Sequence, residues 1–137
     1  MLTRLRSRKG ALFAPSSRER RAIESNDICR LATISEDGWP HVVPVGYIYS
    51  GGRFYIPSSP RTAKVANLRR RPRAAIVIDE TSGSGVMLTC RGEVLAERRA
   101  MHWSRVLHDQ KGWDTGENVA VICLTPIRSA SWFPKSP

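Results

Sequence analysis

The stretch Ser58–Asn67, "SSPRTAKVAN", gathers three hydroxyls and two cations at the entry to a helical pattern. Ser59 is placed to cap that helix, and Pro60 suits its first turn, where the missing N–H is no loss. Arg61 and Thr62 follow immediately. The free backbone N–H groups of a first turn, the positive end of the helix dipole, the hydroxyls of Ser58, Ser59 and Thr62, and the cations of Arg61 and Lys64 can converge on one phosphate. The same residues also read as a capped helix with a solvated basic face. Val65 and Leu68 point inward, and the helix ends at Arg71, because Pro72 restricts the residue before it. Arg69, Arg70 and Arg71 fall at the negative end of the helix dipole and read as a surface feature of that end.

No other chemistry is as well supplied. His41, His102 and His108 have no metal-ligand spacing, so no metal is expected. There is no nucleophile elbow, Walker loop or dinucleotide fingerprint, and no residue takes a catalytic label. A chain without an acid–base or nucleophile set leaves the hard chemistry to a cofactor. Cys29, Cys90 and Cys123 lie far apart among apolar neighbours and read as reduced, buried thiols in a cytoplasmic protein.

The elements that must hold these residues fit one domain. The chain has 137 residues, 41% of them hydrophobic, enough for one core and too few for two. Residues 1–15 read as a flexible basic arm and 16–137 as the domain. A net charge of +10 attracts anions, whether nucleic acid, membrane headgroups or a phosphorylated ligand. A nucleic-acid-binding domain is the reading from a different class, but no aromatic is interleaved among the arginines of 69–73 to stack on bases. No run is long and apolar enough to span a membrane.

A first helix is predicted from Ser16 or Ser17, with Ser17 as cap, to about Asn26. "ICRLATI" alternates as a strand into an Asp37–Gly38 hairpin turn. "HVVPVGYIYS" reads as one long strand, turned at Ser50–Gly52 into "RFYIPS", giving a meander of three antiparallel strands. Pro44 inside it demands an edge, a bulge or a ligand-facing position. After the 59–71 helix come strands over "RAAIVIDE" and "VMLTCRGEVLAE", then a helix with Met101, Val106 and Leu107 on one face, stopped by Gly112. Two closing strands are separated by a kink at Pro126. The fold class is mainly β with short helices, a β-barrel with helical plugs.

The order of the pieces "RLATIS", "EDGWPHVVPVGYIYSGGRFYI", "SSPRTAKVANLRRRPRAAIVID", "RGEVL" and "TPIRSASWF" resembles that of the pyridoxamine 5′-phosphate oxidase-like flavin/deazaflavin oxidoreductases, over roughly residues 17–133. The resemblance implies a split β-barrel and a homodimer, with FMN, or alternatively the deazaflavin coenzyme F-420, bound between subunits. It implies hydride-transfer chemistry on a small-molecule substrate, or a flavin carrier without turnover. It places Ser58, Ser59, Arg61, Thr62, Lys64 and Asn67 around the cofactor phosphate or ribityl chain, and the backbone of Val43, Pro44 and Val45 against the flavin ring. His41 beside that strand is a polar contact or a surface histidine. The partner would add residues from the Val86–Arg91 strand and Trp132. Pyridoxamine phosphate oxidases proper carry a further C-terminal segment with substrate-binding arginines and a histidine, whereas this chain ends at "SWFPKSP", so oxidation of pyridoxamine phosphate is not expected.

Overall fold

The computed structural model describes residues 4–6, 13–113 and 118–134. Among these, eight strands form one sheet: β1 (Arg4–Arg6), β2 (Ile28–Ile34), β3 (Pro40–Gly46), β4 (Ile48–Ser50), β5 (Arg53–Ser58), β6 (Arg73–Asp79), β7 (Gly85–Val94) and β8 (Ala120–Trp132). Within the arm, Arg4–Arg6 pair with Ser129–Ser131 of β8, so this piece belongs to the sheet. The rest of the expected arm up to residue 12 lies outside the described residues.

Residues 41–50 do not make one strand. The chain breaks at Tyr47, so β3 pairs with β2 while β4 pairs with β5. The sheet order is β3-β2-β6-β7-β8-β5-β4, which puts these consecutive strands at its two ends. The three-stranded meander is thereby corrected, and the sheet curls until its ends meet at Tyr47, a split barrel. Tyr47 is buried there; its N–H donates to Asp27 O at 2.9 Å and its hydroxyl to Ile23 O at 2.6 Å. Pro44 lies on the end strand, which needs ladder bonds on one side only.

β8 is one strand, not two. Cys90 faces Pro126 and Thr89 faces Arg128, so Ile127 is an extra residue in a bulge that bends β8 where a kink at Pro126 was expected. The Asp37–Gly38 turn forms as read, with Gly38 at a φ of 88°.

Among the described residues, three helices pack on this frame. α1 (Ser17–Glu24) starts with a capping box in which Glu19 N–H donates to Ser16 Oγ at 3.2 Å and Ser16 N–H to Glu19 Oε1 at 2.8 Å. The cap is therefore Ser16, not Ser17, because its spacing to Glu19 lets both bonds close. α2 (Ala63–Arg70) sits against β2 and β7. α3 (Glu97–Lys111) ends at Gly112, whose φ of 69° reverses the chain.

Two apolar layers result. Leu31, Phe54, Ile76, Leu88 and Leu124 fill the interior of the curl. On the outside of β4, β5 and β8, Ile48, Tyr55 and Val121 are covered by Ala100, Trp103 and Leu107 of α3. Tyr55 and Trp103 stack at 3.5 Å. Burying Leu107 fully is worth about 1.5–3 kcal/mol. Met101, expected on that apolar face, is instead 65% exposed, because the helix turns Ala100 and Leu107 to the sheet.

Candidate functional site

The β5–α2 corner is built by hydroxyls. Ser58, buried at the end of β5, donates to Ser59 O at 2.9 Å and shares a 2.9 Å hydrogen bond with Thr62 Oγ1, which also reaches Ser59 O at 3.1 Å. These bonds close a tight turn holding Pro60 and Arg61 ahead of the helix. The expectation that Ser59 caps and Pro60 enters the first turn is corrected: Thr62 is the N-cap, and its side chain makes no capping bond because it is spent on the turn. The opening N–H groups of α2 are thus uncapped by any side chain, and they carry the positive end of the dipole.

Two cations stand beside them. Arg61 is exposed and Lys64 half-buried, and among the described residues neither forms an ion pair. Burial pushes the Lys64 ammonium below its usual pKa, and no carboxylate offsets this. An uncapped helix start beside a half-desolvated ammonium is a place where a negative charge would be stabilised.

Of the other residues expected here, Asn67 lies beneath α2, where Nδ2 donates to Thr33 Oγ1 at 3.0 Å and pins the helix to β2. Val43 and Val45 turn their side chains into the core, while Pro44 faces outward, exposed. His41, across from Thr33, is half-buried with Nδ1 buried and without a hydrogen-bond partner, so it is not a plain surface histidine.

Trp132 is elsewhere. It pairs with Gly85 on the outward face of the sheet, its indole lying where a Gly85 Cβ would be 2.2 Å away. There it lines a groove of about 550 Å³ with Val42, Ala75, Val77 and Met87. Sequence reading missed this groove. Its signal was the alternation in β2, β3, β6 and β7, whose second set of positions is also largely apolar. No helix among the described residues covers it, and Val42 is 59% exposed. A single chain therefore gathers Ser58, Ser59, Arg61, Thr62 and Lys64, and leaves Trp132 apart from them.

A family model described as pyridoxamine 5′-phosphate oxidase matches residues 17–133. The chain belongs to this family. A relative from Rhizobium meliloti (strain 1021), itself uncharacterised, is 28% identical over 104 residues, covering 69% of this chain and 68% of its own. Among solved structures, a conserved hypothetical protein from Mycobacterium tuberculosis superposes with a TM-score of 0.74 at 20% identity, covering 96% of each chain. A FAD-binding protein from Mesorhizobium loti gives 0.71 at 23% identity, covering 96% of this chain and 97% of that one. An F-420 reductase gives 0.69 at 15% identity, covering 85% and 98%. These likenesses establish the split-barrel fold, which the FAD-binding protein and the F-420 reductase share.

Proposed function

We propose that this chain is an FMN-dependent oxidoreductase that works on a small molecule as a homodimer in the cytoplasm. The observation that carries the reading is the α2 entry, with N–H groups that no side chain caps, the Ser58–Thr62 hydroxyl pair, Arg61, and a half-buried Lys64 without a counter-charge among the described residues. FMN ends in a phosphate, and its charge supplies what Lys64 lacks. Arg61 would reach the same phosphate from the solvent side, and Thr62 would hold the turn in shape. FMN supplies hydride transfer when bound; the chain binds and orients it and excludes water.

The uncovered outward groove supports the dimer. An apolar sheet face with a partly buried Trp132 fits a second copy, and the second copy would bring its own Trp132 toward the first chain's α2. The free, buried state of Cys29, Cys90 and Cys123 fits a reducing compartment, with burial pushing the Cys29 thiol up to about 12.

The test is titration of the full chain with FMN. One FMN per chain is expected, and Lys64→Gln should weaken binding about tenfold or more, the scale of one charge-assisted hydrogen bond. A wild-type chain that ignores both FMN and F-420 overturns the reading.

A further inference from the structure

The sheet register sets three arginines side by side. Arg73 of β6 lies directly opposite Arg91 of β7, and Arg128 of β8 lies opposite Thr89, two residues along β7 from Arg91. Directly opposed residues share a face with Cβ atoms about 5 Å apart, and diagonal neighbours stand about 7–8 Å apart. All three arginines are exposed, and among the described residues none makes an ion pair.

The nearby acids are already engaged. Glu36 pairs with Arg70 at 3.9 Å, Glu93 with Arg99 at 3.2 Å, and Asp79, at the far end of β6, with Arg30 at 3.3 Å. Arg71 donates to Ser35 O at 2.9 Å. Among the described residues, Arg73, Arg91 and Arg128 thus lack the partners that Arg30, Arg70, Arg71 and Arg99 have. Like charges directly opposed on a sheet are destabilising, so the bare surface carries a repulsion that an anion would relieve. The cluster adjoins the apolar groove, because Ala75 and Thr89 separate it from Met87. It is also distinct from the α2 entry. Arg73 follows the C-terminal end of α2, and the helix is about 12 Å long.

We propose that Arg73, Arg91 and Arg128 form a second anion subsite, which takes a carboxylate or phosphate of a ligand bearing more acidic groups than the single phosphate of FMN. The acidic group belongs either to a longer cofactor tail or to an acidic substrate held at the edge of the groove, where Ala75 and Thr89 separate the arginines from Met87. The cofactor arm of this proposal rests on the flavin reading above; the anion subsite itself does not. Guanidinium forks suit such groups, since each offers paired donors to a planar carboxylate or a phosphate.

The experiment compares the full-length wild type with the Arg73→Gln/Arg91→Gln double variant, and with Arg128→Gln should the double variant fail to fold. In low-salt buffer free of polyvalent anions, the variant should melt at or above the wild type, because a repulsion has been removed. Pyrophosphate should then raise the melting temperature of the wild type more than that of the variant. A variant that melts below the wild type, with pyrophosphate protecting both alike, overturns the subsite.

Binding of FMN and F-420 identifies the source of the acid. FMN affinity held within about twofold, with F-420 weakened about tenfold or more, assigns the subsite to a cofactor tail. F-420 binding unchanged while pyrophosphate protection is lost assigns it to an acidic substrate. If the wild type takes up neither cofactor, the flavin reading falls, and the pyrophosphate comparison still decides the subsite.

Discussion

Gly92→Ala is the substitution that most directly couples the packing of this barrel to its site. A Cβ at Gly92 would stand 2.7 Å from Leu68 Cδ2 and 3.1 Å from Leu124 Cδ2, against a normal carbon contact of about 3.5–4.0 Å. Both leucines are buried, at 2% and 0% exposure, so neither side chain has solvent to move into. Overpacking of this kind costs about 1–3 kcal/mol, while replacing glycine by alanine at an ordinary backbone angle returns about 0.4–1 kcal/mol. The net loss is about 1–2 kcal/mol, or roughly 3–10 °C in melting temperature for a chain of this size. Leu68 lies four residues after Lys64 on α2, so the methyl that displaces Leu68 shifts the ammonium as well. FMN affinity should fall together with stability. The assay is thermal unfolding of Gly92→Ala, Leu68→Ala and the double variant, with FMN titration of each. The two substitutions should be less than additive by about 1 kcal/mol, because the alanine methyl fills part of the space that Leu68 vacates. An unchanged melting temperature for Gly92→Ala, or additive losses in the double variant, would refute the packing argument.

Two further outcomes follow from buried polar groups. Tyr47→Phe leaves Ile23 O without its 2.6 Å donor at the seam of the sheet and should cost about 1–3 kcal/mol in denaturant unfolding, with little effect on FMN affinity. Glu19 is fully buried; burial opposes its charge, but the Ser16 N–H, which donates to Oε1 at 2.8 Å, and the polar hydroxyls nearby hold its pKa below the ordinary carboxylate value. Its stabilisation is therefore present above the unfolded-state pKa of about 4.3 and is lost as pH falls through the lower folded-state value. The stability gap between wild type and Glu19→Gln should be flat from neutral pH downward and close only in acid. A gap that instead widens in acid would reverse that sign.

Local signals in the sequence were strong enough to place β2, its Asp37–Gly38 turn, β5, β6, β7 and the Gly112 stop of α3. Each is set by near neighbours: alternation along a strand, or a glycine that takes a positive φ. The break at Tyr47 was not legible, because "HVVPVGYIYS" is a nearly continuous run of strand-favouring residues with no turn pair before Ser50. What divides it is the curl of the whole sheet, with Tyr47 tied to Asp27 and Ile23 and Gly46 packed under Trp113. The start of α2 was misplaced because Ser59 and Thr62 are both good caps, and the turn closed by the hydrogen bond between Ser58 and Thr62 delays the helix to Ala63. The residues of the α2 entry were readable together because they are contiguous. The Arg73, Arg91 and Arg128 cluster was not, since it exists only through the register of β6, β7 and β8.

The central claim is that the α2 entry holds a flavin phosphate. Incubating the full chain with FMN, removing unbound flavin and recording the visible absorption spectrum tests it most directly. The wild type should retain a flavin band at one FMN per chain, and Lys64→Gln a much reduced band at the same protein concentration. A wild-type spectrum without flavin absorbance, after the same treatment with FMN and with F-420, would contradict it.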